Sequence, residues 1–312
     1  MSTMAVVDDA ELAVRMAAGE DLEDESEMSE AYREVLVATI SIAADLEAMS
    51  LPLMFTALLR APDLEAKVAV AASIQDEMGH ALMMFRMLED FGLDPDYLLF
   101  QRDPHQFRTF YLLEHGCADY LEFLCMQALG DRAGYVTTRD LGQYCSFAPY
   151  RRSLQKVNYE EKFHVAHGQR EIKRLIAEDE SMRARVQRIF DWMFPLAAEW
   201  FGTTDDQKKR TGQLTFRIRG ASNDGLREQW LKEVIPYAQS IGVEVPAVKE
   251  ADGSCRLTYQ LPIMFDEESR TWDFENTVDW PTKFAQWKRG GPEKIPGLTM
   301  LQGERWGTAL WT

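Results

Sequence analysis

The chain has 312 residues, which is enough for one large domain or two of ordinary size. Hydrophobic residues make up 46% of it and suffice for a packed core, while 51 acidic residues against 34 basic ones give a net charge of −17. This charge argues against a nucleic-acid surface and against binding to an anionic membrane, and an anionic substrate would need local basic groups.

The cysteine pattern and the hydropathy indicate the cell compartment. Cys117, Cys125, Cys145 and Cys255 show neither CxxC spacing nor the density of a disulfide scaffold. No apolar run reaches the length of a membrane span, and the N-terminus lacks the basic-then-apolar pattern of a secretion signal. We therefore expect a soluble cytoplasmic protein that binds neither nucleic acid nor membrane.

The N-terminal segment is rich in small and acidic side chains. Its densest acidic run is 21–25, and Arg15 is its only base. A segment with few large apolar residues and a high net charge does not bury enough surface to fold. We therefore predict that residues 1–28 form a disordered, solvated tail.

Two helices joined by a sharp bend are predicted next. The first begins near Ser29 and carries a stripe of mostly small residues that ends at Glu47. Pro52 predicts a kink or an interruption of this helix. The second helix starts around Pro62 and runs to about Phe91, because proline is tolerated in the first helical turn and glycine commonly follows the last.

Helix breakers and the helical spacing of apolar residues predict the following elements. They are a connection over 93–108, a helix over 109–144 with a break near Gly130 or Gly134, a helix from Pro149 to Ala177, and a helix from Ser181 to Phe201 with a kink at Pro195.

The composition changes from Gly202 onward. Thr211 to Gly220 alternates polar and apolar residues, which predicts a short strand or an extended arm. Ser222 is placed to cap the helix that follows, and residues 243–312 are rich in Pro, Gly and Trp. Two interpretations of 202–312 stay open: this region wraps the rest of the chain as part of its core, or it docks a partner subunit.

Two copies of the motif Glu-x-x-His occur on predicted helices, as Glu77 with His80 and Glu161 with His164. Residues three apart lie on one face of a helix, one turn from each other, so each pair can bind one metal ion. A single Glu-x-x-His is usually an exposed pair on a Glu-rich helix. The second copy makes a metal site the better interpretation.

Each motif is preceded, at the same distance, by a further acid: Glu47 before Glu77, and Asp131 before Glu161. The midpoint of each interval lies at or just before a proline, as expected for the bend of a helical hairpin. At 1.5 Å per residue, acid and motif both lie about 22 Å from that bend. Four helices thus bring four carboxylates and two imidazoles to one depth, the arrangement of di-iron and di-manganese carboxylate proteins.

The motif helices carry two further acids. Asp76 and Glu160 each precede the motif histidine by one turn and lie on its face. A metal-bound imidazole usually donates its second N–H to an acceptor, so we predict that these acids orient whichever imidazole lies closest. Asp131 follows Gly130, which weakens the helix there, and Glu122 is the alternative acid.

The predicted fold class is all-α. A ferritin-like four-helix bundle occupies residues 29–201 and carries a metal centre in its core. Additional helices and an extended, partly irregular C-terminal region over 202–312 complete the chain.

These motifs resemble the catalytic alpha subunit of the bacterial phenylacetyl-CoA 1,2-epoxidase family, a ring-oxygenating complex. The resemblance extends over about residues 31–242 and is densest at 75–80, 160–164 and 222–227. It implies a bridged centre of two iron ions. The implied ligands are Glu47, Glu77, His80, Asp131, Glu161 and His164.

The resemblance also implies an activity. O2 is activated at the di-iron centre, and one oxygen atom is inserted across a ring bond of an aromatic acyl-CoA thioester such as phenylacetyl-CoA. Electrons come from NADPH through a separate flavin/iron–sulfur reductase. A related non-catalytic helical subunit takes part, and the complex is an oligomer. No side-chain nucleophile is assigned.

Three departures from the family pattern leave the particular substrate open: Ser73 stands where the family has lysine, residues 93–125 match poorly, and the alignment of Asp131 needs one extra residue between it and Ser146. Two other functions stay open. One is a ferritin-like iron-binding or ferroxidase protein, against which the long region 202–312 counts. The other is a metal-free structural subunit of such a complex, against which the presence of all six ligand types counts.

Overall fold

The structure is a computed structural model that describes residues 7–208 and 211–303. Long helices dominate it, which confirms the predicted all-α, ferritin-like fold class. In chain order the helices are α1 (Asp9–Ala17), α2 (Glu30–Arg60), α3 (Leu64–Asp90), α4 (Tyr120–Met126), α5 (Arg132–Tyr144), α6 (Ala148–Glu178), α7 (Ser181–Glu199), α8 (Gly212–Thr215), α9 (Asn223–Ser240), α10 (Trp280–Arg289) and α11 (Lys294–Gln302), and the strands are β1 (Ala247–Lys249), β2 (Cys255–Leu257), β3 (Ile263–Asp266) and β4 (Thr271–Thr277).

The central bundle consists of two helical hairpins, α2 with α3 and α5 with α6. Ser29 caps α2 by accepting a hydrogen bond from the Tyr32 N–H at 3.2 Å, and Asp63 caps α3. α2 continues through Pro52, so the helix is not interrupted there. Proline removes one backbone donor, and buried neighbours on both sides of it hold the helix in the bundle.

The helix predicted over 109–144 is divided into shorter pieces. Gly116 adopts a positive φ of 63°, and α4 starts only after the Asp119 side chain caps it. Between α4 and α5 the backbone forms a π-helical turn over Gln127–Asp131. The break expected near Gly130 is this turn. A π-turn adds a residue to a helix without ending it, and such turns are frequent at functional sites.

The elements after α5 follow the predictions except in one segment. α6, α7 and α9 lie where helices were predicted, and the Ser222 side chain caps α9. The strand or extended arm predicted over Thr211–Gly220 is wrong, because its start forms the single helical turn α8. Phe216 and Ile218 are buried in alternation, but no described strand pairs with them.

The N-terminal segment is not the disordered tail that its composition predicts, since it is folded from α1 onward. Leu12 and Met16 of α1, and Leu22 after it, are fully buried. The backbone of Leu22 pairs with the start of α6. Hydrogen bonds from two arginines of later segments lower the pKa of Asp21 to about 2. Residues 1–6 lie outside the described residues.

The C-terminal region packs against the bundle and adds two small sheets. β1 pairs with β2, and β3 pairs with β4, both antiparallel. Lys283 of α10 forms a buried ion pair with the end of α7, and α11 packs against α2. Residues 304–312, with Trp306 and Trp311 of the Trp-rich end, lie outside the described residues.

One described helix, α2, is long and apolar enough to cross a membrane by length and composition alone. The expectation that no apolar run reaches this length is therefore wrong. More than half of its most apolar stretch is buried inside the protein, and the helix carries the inward-facing acids Asp45 and Glu47. A buried core helix of a folded protein can have the same length and composition as a membrane span.

Candidate metal centre

The bundle brings all six predicted ligand side chains together. α2 supplies a carboxylate, α3 a carboxylate and an imidazole, the π-turn a carboxylate, and α6 a carboxylate and an imidazole. They form two groups, and within each group the donor atoms lie within 4.8 Å of one another. One group is Glu47, Glu77, His80 and Glu161, and the other is Asp131, Glu161 and His164.

Glu161 belongs to both groups, so the geometry describes two adjacent sites with a shared carboxylate. Its Oε1 lies 3.7 Å from His80 Nδ1 and 3.8 Å from His164 Nδ1. His80 Nδ1 is also 3.4 Å from Glu47 Oε2, and His164 Nδ1 is 3.3 Å from Glu77 Oε1. This is the donor arrangement of di-metal carboxylate bundles.

Each imidazole makes its outer contact across the bundle, with an acid of the opposite motif. His80 Nε2 lies 2.9 Å from Glu160 Oε2, and His164 Nε2 lies 3.2 Å from Asp76 Oδ2. When Nε2 donates its proton to the carboxylate, Nδ1 keeps a lone pair for the centre. The sequence predicted both acids and left open which imidazole each contacts.

Three donor atoms of the centre are buried and have no hydrogen-bond partner among the described residues: His80 Nδ1, His164 Nδ1 and Asp131 Oδ2. A buried polar atom without a partner costs about 1–3 kcal/mol. All three atoms belong to residues whose donor atoms converge. Metal ions bound at that point would satisfy them, so the residues fit a metal centre.

The centre also concentrates negative charge in a buried place. Burial, followed by repulsion from Glu77, raises the pKa of Glu47 and of Glu161 well above the usual range. Burial raises the pKa of Asp131 to about 7. Burial acts on Glu77 as well, but its interactions with His164 and Glu47 outweigh burial and lower its pKa to about 2. Protons or metal cations must therefore compensate these carboxylates.

A cavity of about 530 Å³ lies beside the centre. Four carboxylates of the centre line it, and the rest of its wall is largely apolar. Ile42 and Leu46 of α2 contribute to that wall, as do Phe110, Leu141 and Trp200. Apolar pockets with a few converging polar groups are the usual form of small-molecule sites.

Basic side chains also line this cavity, although the protein as a whole is acidic. Lys208 Nζ and Arg219 Nη2 both donate to Asn223 Oδ1, at 3.1 and 2.6 Å. Arg108 lies on the same cavity wall. Burial lowers the pKa of Lys208 to about 8. These are the local cations that an anionic ligand would need.

Comparison with known proteins agrees with the site. The family model for phenylacetic acid catabolic proteins matches residues 4–261. The chain belongs to the phenylacetic acid catabolic protein family. It is also 25% identical, over 267 residues, to one of the subunits of the 1,2-phenylacetyl-CoA epoxidase of Escherichia coli (strain K12), and the match covers 85% of this chain and 82% of the relative. The resemblance inferred from the motifs is thereby confirmed.

In this member of the phenylacetic acid catabolic protein family, the alternative acid Glu122 is not part of the centre. Its Oε1 accepts a hydrogen bond from Arg270 at 2.8 Å, and its Oε2 accepts one from the Ala118 N–H at 2.6 Å. Asp131 lies in the second donor group instead. It is the last residue of the π-turn.

Two side chains of the centre were not identified from the sequence. Ser50 Oγ donates to the Glu47 carbonyl at 2.7 Å and lies 3.2 Å from Glu77 Oε2, and Lys156 Nζ contacts both carboxylate oxygens of Glu160 at 2.6 and 2.5 Å. The helical spacing in the sequence could have identified both residues, because Ser50 lies one turn after Glu47 and Lys156 lies one turn before Glu160. Both side chains hold a carboxylate in place.

The donor set consists of carboxylate oxygens and imidazole nitrogens. Carboxylate and imidazole ligands suit iron and manganese, while thiolates select softer ions. The family and the donor set together support an iron-binding protein. The ligand role of each of the six residues stays a prediction that metal analysis of variants can test.

Proposed function

We propose that this chain is the oxygenase subunit of a di-iron monooxygenase that epoxidises the aromatic ring of an acyl-CoA thioester such as phenylacetyl-CoA. One observation carries the proposal: the donor cluster and a group of basic side chains line the same, largely apolar cavity. An aromatic acyl group and the anionic coenzyme attached to it can occupy such a space together. The name of the Escherichia coli relative supports the same substrate class.

The residues present could hold two iron ions, with Glu161 placed to contact both. When bound, the iron pair supplies the activation of O2, for which protein side chains are not suited. The chain maintains the geometry of the centre, because Glu160 and Asp76 contact Nε2 of His80 and His164, fix the orientation of the two rings and direct their Nδ1 atoms toward the carboxylates.

The apolar part of the cavity would hold the aromatic ring. Ile42, Leu46 and Leu141 line the cavity that the carboxylates of the centre also line. These side chains offer the ring apolar contact worth about 25 cal/mol for each Å² of area removed from water. A ring bound there also displaces water from the centre, which limits side reactions.

The basic part of the cavity would hold the phosphates of CoA. Lys208 and Arg219 share the acceptor Asn223 and therefore lie side by side, and Arg108 lines the same cavity. Charge-assisted hydrogen bonds from such groups to phosphate are about twice as strong as neutral ones. They supply the local attraction that an overall charge of −17 does not.

We also propose the partners and the compartment. The Escherichia coli relative is named as one subunit of an epoxidase, which supports a multi-subunit complex. In that complex we propose a related non-catalytic helical subunit, together with a separate flavin/iron–sulfur reductase that passes on electrons from NADPH. The four cysteines are free and buried, which supports a cytoplasmic location.

Product formation by the reconstituted complex tests the proposed function. The chain, its companion subunits and the reductase are supplied with NADPH, phenylacetyl-CoA and isotopically labelled O2, and the thioester product is analysed by mass spectrometry. A product with one labelled oxygen atom supports the proposal. If the chain binds iron but its O2 consumption does not depend on the thioester, the ferroxidase alternative is favoured. If the chain is purified without iron, the structural-subunit alternative is favoured.

A further inference from the structure

α10 follows the part of the chain that matches the family, which ends at residue 261. Two aromatic side chains of α10, Phe284 and Trp287, nevertheless line the cavity beside the donor cluster. The bundle supplies the metal donors, while this later segment supplies part of the cavity wall. The two parts of the chain therefore meet at the candidate site.

A buried ion pair fixes α10 to the bundle. Lys283 Nζ lies 2.8 Å from Glu199 Oε1 at the end of α7, and both side chains are fully buried. The same lysine donates to the Ile263 carbonyl at 2.9 Å. Trp287 Nε1 donates to Glu199 Oε2 at 3.2 Å. α10 is thus held at a defined position against the cavity.

Phe284 differs from an ordinary core aromatic residue. It lines the cavity, yet 43% of it is exposed, so its ring lies where the cavity meets solvent. The ring packs with Trp280 and Trp287 at centroid distances of 5.6 and 5.4 Å. An aromatic ring supported by protein on one side has a free side that can contact an apolar ligand.

We propose that Phe284 and Trp287 are specificity-determining residues that set the size of the acyl group the cavity admits. This inference rests on the proposed function, because it places an acyl-CoA thioester in the cavity. One methylene group in an apolar pocket changes selectivity by about 10–200-fold. Removal of the Phe284 ring enlarges the cavity, so bulkier acyl groups should gain affinity relative to smaller ones.

Equilibrium binding tests this inference without turnover. The full chain is titrated by calorimetry with benzoyl-CoA, phenylacetyl-CoA and 4-phenylbutyryl-CoA, which differ only in the length of the acyl group. Phe284→Ala should improve the Kd for 4-phenylbutyryl-CoA, relative to phenylacetyl-CoA, by about tenfold. Trp287→Phe keeps a smaller ring in the wall and should shift the ratio in the same direction by a smaller factor.

Phe274→Ala is the matched control. Phe274 lies on β4 of the same C-terminal region, is 45% exposed and packs on Tyr259 at a centroid distance of 5.1 Å. It is not among the described residues that line the cavity. Its removal should leave the ratio of the dissociation constants at the wild-type value. Thermal unfolding of each variant shows whether the fold is retained. If Phe284→Ala does not fold, Phe284→Leu is used in its place.

The outcomes separate this inference from the proposed function. A folded Phe284 variant that keeps the wild-type ratio overturns the inference and leaves the proposed function intact. A variant that raises the Kd of all three thioesters by the same factor also overturns the inference. In that case Phe284 contacts the coenzyme, which the three thioesters share, and does not select the acyl group. If the wild-type chain binds none of the three thioesters, the proposed function itself is contradicted.

Discussion

His80 of α3 contacts Glu160 of α6 across the bundle, with 2.9 Å between Nε2 and Oε2. The acid that orients this imidazole therefore comes from the helix that carries the other Glu-x-x-His motif. The reciprocal contact, from α6 back to α3, joins His164 to Asp76 at 3.2 Å. Each motif thus orients the imidazole of the other, and the two halves of the centre depend on each other.

Glu160→Gln should weaken iron binding by about 10–100-fold, which is the usual effect of removing such an outer partner. The amide oxygen can still accept the hydrogen bond, but the negative charge that strengthens the imidazole is lost. Iron retained during titration with a chelator measures the effect. Glu178→Gln, at the exposed end of the same helix, is the control, and equal retention by both variants would show that Glu160 does not support His80.

The three long helices that carry the centre, α2, α3 and α6, were predictable because each of them leaves a local signal in the sequence. The Ser29 and Asp63 caps mark the starts of α2 and α3, and Pro62 marks the bend between them. The three-residue spacing within each motif needs only a helix to place both side chains on one face. The six predicted ligands could therefore be named before their helices were seen to pack together.

The remaining features depend on packing between distant segments, which no local pattern encodes. The π-turn over Gln127–Asp131 has no residue signature of its own. The acidic run near Asp21 predicts disorder, but in the structure two arginines from later segments pair with Asp21. The pairing of Glu160 with His80, and not with the histidine of its own helix, follows from how α3 and α6 lie against each other.

Gly168 should tolerate no larger residue, because α6 lies close to α4 and the π-turn there. A Cβ at this position would lie 2.6 Å from the Leu124 carbonyl oxygen and 2.8 Å from Gln127 Cβ. Gly168→Ala should therefore lower the free energy of unfolding by about 1–3 kcal/mol. It should also displace the turn that carries Asp131 and reduce the iron content. Chemical denaturation and metal analysis measure the two effects.

Gly79→Ala provides the opposite case on α3. A Cβ there has no described heavy atom within 4 Å, and alanine is favoured over glycine within a helix by about 0.5–1 kcal/mol. The variant should be slightly more stable than the wild type and keep its iron. A loss of stability in Gly79→Ala equal to that in Gly168→Ala would contradict the steric explanation.

Lys208→Gln should raise the Kd for free CoA and for every CoA thioester by about tenfold, since a hydrogen bond to a charged group contributes about 1.5–3 kcal/mol. The pKa of Lys208 is lowered by burial to about 8, so wild-type affinity should decrease as the pH rises through 8 and the ammonium loses its proton. Calorimetry between pH 7 and 9 measures both effects. Lys249→Gln changes the exposed residue of β1; it is the control and should bind CoA like the wild type.

His115 should make the protein less stable as the pH falls. The imidazole is buried between Tyr111 and Phe265, and burial lowers its pKa from 6.5 to about 4. The unfolded chain therefore binds the proton more strongly, so stability is lost as the pH falls from 6.5 to 4, by up to about 3 kcal/mol. His115→Phe keeps a ring in this place and should remove that loss.

The control for the buried histidine is His105→Phe, which changes an exposed histidine. Chemical denaturation from pH 7 to pH 4 compares both variants with the wild type. The His105 variant should follow the wild-type curve, while the His115 variant should lose less stability toward low pH. If the free energy of unfolding falls with pH in the same way in all three proteins, His115 takes no part in the acid sensitivity.

The ion pair between Glu199 and Lys283 should show strong coupling in a double-mutant cycle. Glu199→Gln leaves a buried ammonium without its counter-charge and should lower the free energy of unfolding by about 3–5 kcal/mol. Lys283→Met should lower the free energy of unfolding by less at pH 8, because burial raises the pKa of Glu199 to about 7 even beside Lys283, and without the lysine the carboxyl can take up a proton. The double variant should lie near the wild type, since exchanging a buried pair for neutral groups is often close to neutral. Chemical denaturation of the four proteins gives the coupling energy. If the double variant loses as much free energy of unfolding as the two single variants together, the pair does not hold α10 in place.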